Sequence, residues 1–286
     1  MNALAAFGTL TLVKAAPLIF AALAGVVCER SGILNIALEG ALTVGAFAAV
    51  AVSYATGSPL LGLLAGIGAG ALLCALLGIA ATRFGVDQIV AGTGLNIVAA
   101  GGTAFALVIV FGQPGASPEV RSLGPAGEAA LVITAIVCAV LLHVLFSYTP
   151  WGLRLRACGE NPRAVRSAGV DPARVRVLAT VLAGALAGAG GVFLSLGELD
   201  LYSDGMTAGR GFIALAAVIF GRWTPLGAAA AALAFGALSA LQFSLQRAGV
   251  PSELMQALPY LAALAALTGI TGRARAPAAD GVPLDA

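Results

Sequence analysis

Residues 149–176 read TPWGLRLRACGENPRAVRSAGVDPARVR. Six arginines, Arg154, Arg156, Arg163, Arg166, Arg174 and Arg176, outweigh Glu160 and Asp171. Apolar runs flank the stretch on both sides. A short arginine-rich loop between apolar segments stays on the cytoplasmic face of a membrane, so this stretch sets the orientation of the whole chain. It also carries its own folding instructions. Asn161-Pro162 is an N-cap followed by proline at the first helical position, and Gly169 suits the left-handed position that closes a helix. The pattern predicts a helix of about two turns over Pro162–Ala168. Asp171-Pro172 repeats the start signal and launches the next apolar segment. A bounded basic helix of this kind is either an interfacial turn whose arginines meet lipid phosphates or a docking knob, and the paired start signals favour the knob.

Composition sets the class. The chain is 60% hydrophobic and 10% charged, against roughly 25% charged residues in soluble domains. Uncharged runs cover Gln88–Pro118, Val177–Gly197, Trp223–Gln246 and Leu254–Gly272, and Ser31–Thr82 holds only Glu39. Each can supply the roughly 20 apolar residues that cross a bilayer. The 38 glycines point to close helix contact in lipid. Cys28, Cys74, Cys138 and Cys158 have no CxxC spacing and read as inert core thiols, so neither a disulfide framework nor a metal site is expected. No cofactor is expected. Lys14 interrupts the first apolar stretch and further spans follow it, which predicts an uncleaved first helix rather than a signal peptide.

The reading is an all-α integral membrane protein with nine apolar segments: about 7–27, 36–55, 60–82, 89–111, 129–148, 177–197, 209–221, 226–246 and 254–271. With 149–176 inside, the inner side also receives Arg30, Arg83, Arg222, Arg273 and Arg275, altogether 11 of the 15 basic residues. The N-terminus is then external and the C-terminus cytoplasmic. The domain runs over 1–272, and the tail 273–286, rich in Ala, Pro and Asp, is expected to be disordered.

Two places break the pattern. Cys28–Gly40 is too polar for an ordinary span and too apolar for a free loop. The segment 209–221 is short and follows glycine-rich Ser203–Gly211. Irregular backbone at membrane depth survives only inside protein or beside a water-filled cavity, and interrupted segments in both halves of a transporter point to the path. Polar residues inside spans form three candidate stripes: Asn35 with Glu39, Thr93 with Asn96 and Thr103, and Ser239 with Gln242 and Gln246. Asn35, Glu39, Thr93, Asn96, Ser239 and Gln242 are the candidate path residues; helix-to-helix hydrogen bonding, or an ion pair of Glu39 with Lys14 or Arg210, is the competing reading. His143 reads as structural. No HExxH or CxxC occurs, nor a GxSxG with a histidine partner. The one lysine, Lys14, lacks the glycines of a phosphate-binding loop, so the chain is read as non-catalytic and any ATP hydrolysis would need another subunit.

Several stretches resemble bacterial ABC importer permeases of the branched-chain amino acid/ribose/nucleoside family, nucleoside-type members in particular. They are PLIFAALAG at 17–25, ERSGILNIALEG at 29–40, DQIVAGTGLN at 87–96, GENP at 159–162 and GRGFIALAAVIFG at 209–221. They run in family order over about 15–245, and the 29–40 block is the most specific. Arg222-Trp223 departs from the small residues common at that turn. The resemblance makes 149–176 a coupling loop, with Gly159, Glu160, Asn161, Pro162, Arg163, Arg166 and Gly169 as its ATPase-coupling residues. It implies a paralogous permease, an ATP-binding subunit and an extracytoplasmic binding lipoprotein as partners, beside membrane lipid and without nucleic acid. It also implies a multi-pass protein of the bacterial inner membrane that imports nucleosides, purine nucleosides first. A permease for a simple sugar or other small polar solute, and an autonomous secondary transporter, stay open as alternatives.

Overall fold

A computed structural model of the chain describes residues 3–246 and 275–284. The helices are α1 (Ala3–Glu29), α2 (Leu38–Thr56), α3 (Pro59–Arg83), α4 (Gln88–Phe111) and α5 (Gly124–Tyr148), then short α6 (Pro150–Glu160) and α7 (Pro162–Ser167). They continue with α8 (Pro172–Val192), which passes into π-helical turns over Phe193–Leu199, then α9 (Arg210–Phe220) and α10 (Pro225–Gln246). Among the described residues regular structure is helical, with one isolated bridge between Ala116 and Ser203. Among the described residues seven helices are long and apolar enough to cross a membrane, and they match seven of the nine expected segments. Segment 209–221 forms α9, whose 11 residues span about 16 Å, half a hydrocarbon core. Segment 254–271 lies outside the described residues.

Glycines decide which helices meet. On α3, Gly62, Gly66 and Gly70 recur every fourth residue, and on α8 Gly184 and Gly188 do the same. A Cβ added at Gly70 would lie 2.4 Å from the Gly184 carbonyl oxygen, and one at Gly184 would lie 2.3 Å from the Gly70 carbonyl. Gly188 meets Gly66 in the same way at 2.5 Å. Main chain therefore touches main chain along α3–α8, with α2 joining at Gly45 against Gly188. In lipid, where no hydrophobic effect separates helix contact from lipid contact, such close approach is what holds helices together. α1 is enclosed by its neighbours, its residues 15–29 being buried throughout. α4 packs chiefly on α2 and α3, while α10 packs on α1, α9 and α5.

The two ends of the bundle differ in charge. Arg30 Nε donates to the Trp223 carbonyl at 2.7 Å, and its Nη2 reaches the Arg222 carbonyl. Arg83 and Arg174 line one cavity of about 560 Å³ between α3 and α8. The described arginines of the group read as internal thus share one end with α6 and α7. At the opposite end, loop 112–123 meets 200–204 through Ser117, Tyr202 and Val120.

The tail departs from expectation. Residues 275–284 form turns, and Pro277, Ala279 and Leu284 are buried. Ala279 N–H donates to the Gly159 carbonyl at 2.8 Å. Low hydrophobicity made the tail look disordered, but main-chain hydrogen bonds to the bundle hold it.

Candidate translocation path and coupling surface

The first break runs from Arg30 to Ala37. Gly32, at φ +91°, ends α1 in the left-handed region, and α2 does not begin until Leu38. Asn35 therefore lies outside the helix, and the expected shared face of Asn35 and Glu39 does not exist. Asn35 is fully buried. Its Nδ2 donates to Cys74 Sγ on α3, and its Oδ1 is buried without a hydrogen-bond partner among the described residues. The rest of the break is closed by α4. Gln88 Oε1 accepts from Leu34 N–H at 2.7 Å; Asn96 Oδ1 accepts from Gly40 N–H at 2.8 Å, and Asn96 Nδ2 donates to the Ile36 carbonyl at 2.9 Å. Asn96 thus bridges both lips of the break, where the sequence reading had it facing a path. Gln88, about two turns earlier on the same side of α4, was missed; an amide at the first turn of a span is the signal that could have found it.

The second break covers 200–209. Thr207 and Thr43 share a hydrogen bond of 3.2 Å, and Tyr202 OH donates to Thr103 Oγ1 at 2.9 Å. Glu39 closes the break: its Oε1 accepts from Gly209 N–H at 2.8 Å and its Oε2 from Gly211 N–H at 2.6 Å. A carboxylate at the start of α9 is favoured by the helix dipole and by the unpaired N–H groups there. Neither proposed ion partner of Glu39 is used. Lys14 pairs with Glu198, and Arg210 donates to the Met206 and Thr207 carbonyls.

The other candidates are spread out. Thr93 is exposed on α4 and donates to its own helix. Ser239 does the same on α10, and Gln242 is half-buried there. Since α4 and α10 pack on different neighbours, Asn96 and Gln242 do not converge within one chain. The side chain of Gln246 lies outside the described residues.

The coupling loop follows its sequence signals closely. Asn161 Oδ1 caps α7 through Ala164 N–H at 3.1 Å, Gly169 takes φ +78°, and Asp171 caps α8 through Ala173 N–H. Thr149-Pro150 is a third start signal of the same type, overlooked in the sequence. Thr149 accepts from Gly152 N–H and opens α6. A cavity of about 370 Å³ lies between α6, α7 and the start of α8, lined by Leu153, Ala157, Asn161, Ala164, Val165 and Val170 among others. Arg163 and Arg166 are exposed on α7. Gly159 is buried: a Cβ there would lie 2.3 Å from the Arg30 carbonyl oxygen.

The turn at Arg222-Trp223 has a reason. Both residues take φ +53°, a conformation unfavourable for non-glycine residues. Arg30 binds both of their carbonyls, and Trp223 Nε1 donates to Glu29 Oε2 at 2.5 Å. The pair locks the α9–α10 turn onto the Glu29-Arg30 corner. Arg176 was also missed in this respect. It counted as one more solvated loop charge, yet it is 0% exposed and donates to the carbonyls of Ser31, Ala279 and Val282 at 3.1, 3.1 and 2.9 Å.

Residues 9–267 match the model of the branched-chain amino acid transport system permease component. The chain is 38% identical to the guanosine ABC transporter permease protein NupQ of Bacillus subtilis, over 96% of this chain and 94% of the relative. It is 35% identical to the nucleoside ABC transporter permease protein NupC of Lactococcus lactis, over 95% and 94%. With the putative glucose ABC transporter permease protein TsgC13 of Haloferax volcanii it shares 33% identity over 90% and 89%. No solved structure matches. A family match over residues 9–267, with full-length relatives at 38% and 35% identity, makes this protein a member of the branched-chain amino acid transport system permease family, a multi-pass ABC permease.

Proposed function

We propose that the chain is one membrane subunit of an ATP-driven importer of the bacterial inner membrane that carries nucleosides, purine nucleosides first. The observation that carries the reading is the full-length similarity to a guanosine permease. The chemistry of the bundle is compatible with it. Path candidates Asn35 and Gln242 are amides, which offer donor and acceptor without charge to the hydroxyls and base edges of a nucleoside. Thr93 faces outward from α4 and would line a path only beneath a partner permease. The basic end is cytoplasmic by the positive-inside rule. There Arg163 and Arg166, beside the α6–α7 cavity, form the surface for an ATP-binding subunit, and a binding lipoprotein delivers solute at the opposite end. A hexose is the second reading, favoured by the Haloferax relative.

The test is uptake of labelled guanosine by a reconstituted complex of this chain, its partner permease, ATPase and lipoprotein. Excess unlabelled adenosine should compete and excess glucose should not; competition by glucose alone reverses the choice. In the same system Glu160→Ala with Arg163→Ala should abolish uptake while membrane insertion is kept, and ATP-driven uptake at the normal rate would remove the coupling role. For sidedness, a cysteine at exposed Gln113 should react with an impermeant thiol reagent in whole cells and one at Ser167 should not. Ser117, buried against Tyr202, is a poor reporter.

A further inference from the structure

We infer that the C-terminal segment 277–284, clasped by Arg176, is a strut that carries movement of the coupling loop into the first break. The inference rests on the reading of the chain as an ATP-driven permease.

Arg176 lies on α8, five residues after the cap Asp171, close enough to the end of the bundle for its guanidinium to reach water. Instead it is enclosed, and its bonds run to main-chain carbonyls of two separate segments: Ser31 in the break, and Ala279 and Val282 in the tail. A planar fork with fixed donors positions whatever it holds. The three charge-assisted hydrogen bonds offset the desolvation of the enclosed charge, so losing the tail would leave Arg176 short of two acceptors. There is also no slack: a Cβ at Gly32 would lie 2.5 Å from Arg176 Nη2.

On its other side the tail holds the end of α6. Ala279 N–H donates to the Gly159 carbonyl, and Ala278 N–H approaches Glu160 Oε2 at 3.4 Å. Gly159 itself touches the Arg30 carbonyl. One contiguous set of contacts therefore joins α6, the tail, α8 and residues 30–32. Coupling between distant sites needs such a packed, hydrogen-bonded chain between rigid elements. At the far side of the break stand Asn35 and, through Gly40, Asn96. Displacement of the loop would thus reach the break by two routes, along α8 and through the tail.

The test uses the complete complex in proteoliposomes, with guanosine uptake and ATP hydrolysis measured in the same vesicles. Truncation after Ala276 should leave hydrolysis within about two-fold of wild type and lower guanosine moved per ATP at least about five-fold, the scale set by losing several hydrogen bonds. Arg176→Lys keeps the charge but not the fork and should lower the ratio less. An unchanged ratio on truncation overturns the strut, and so does a rise in uptake, which would make the tail a latch. If truncation prevents assembly, Ala279→Pro decides: it keeps full length and removes the N–H that binds Gly159 while stiffening the tail there, and an unchanged ratio in its assembled complex again overturns the proposal. Absence of guanosine uptake by the wild type sinks the substrate reading alone. The strut is then scored as labelled glucose moved per ATP in the same vesicles, which truncation should lower at least about five-fold and whose wild-type value in the truncated complex would overturn it.

Discussion

The break after α1 is closed by amide and guanidinium side chains reaching in from α4 and α8, whereas the break before α9 is closed by the main chain of loop 112–123, by the hydroxyls of Thr43, Thr103 and Ser117, and by one carboxylate. The first is anchored at the basic end through Arg176; the second is anchored at the opposite end through Ser117 and Gly115. They meet midway, where Glu39 holds Gly209 and Gly211 and Thr43 holds Thr207. Polar residues inside the bundle therefore need not mark the solute's route. In lipid every freed backbone group must find a partner, and much of the intramembrane polarity of this chain meets that demand.

Removing the meeting point should have the largest effect. Glu39→Ala leaves two N–H groups at the start of α9 without an acceptor and should cost about 2–4 kcal/mol of stability. Thermal unfolding of the purified subunit would report it, and a wild-type melting temperature would separate the two breaks. Asn96→Ala opens only the first break and should cost about 1–3 kcal/mol, with transport and stability falling together. Lost transport at unchanged stability would return Asn96 to the path.

The anchoring of the two breaks should also differ in pH response. Burial pushes the Asp280 carboxyl from 3.8 up to about 7, while Arg176 and the Gly281 N–H pull it down. Arg176 faces it from α8, and Glu29 and Cys28 from α1. Because its value in the docked tail is raised, the docked tail takes up a proton that the released tail does not hold. Docking therefore weakens as pH rises from about 4 to about 7 and is constant above that. Between pH 6 and pH 8 the docking constant should fall about ten-fold. Hydrogen exchange at Ala279, corrected for intrinsic rates, measures this. Asp280→Asn should flatten the dependence, and a pH profile surviving that change would assign it elsewhere. The smallest effect belongs to Gln242→Ala, which touches neither break. Transport should slow several-fold, corresponding to about 0.5–1.5 kcal/mol, with the melting temperature unchanged; a lowered melting temperature would make Gln242 a packing residue.

What was legible in the sequence was local. Asn161-Pro162, Gly169 and Asp171-Pro172 place α7 and the start of α8 because a cap acts on residues two or three positions away. The spans follow from unbroken apolar length. The non-local contacts were not readable. Asn35 and Glu39 are four apart, a spacing that means a shared face only inside a helix, and the α2 helix starts between them. Arg176 looks in sequence like its neighbour Arg174, which stays solvated; only the fold brings Ser31 and the tail around one of the two. The tail's composition carries no sign of the carbonyls that would hold it.

The seam between α3 and α8 has a consequence at the level of the gene. Any amino acid that replaces glycine brings a Cβ, so no missense change in the codons for Gly66, Gly70, Gly184 or Gly188 can be conservative where backbone already stands within 2.6 Å of the missing atom. Divergence along this line must proceed by silent substitution or by paired shifts of both helices. The exposed faces of α4 and α5, by contrast, can exchange one apolar side chain for another freely. Drift in this lineage should accordingly be written on the lipid-facing helices and nearly erased along the line where α3 and α8 touch.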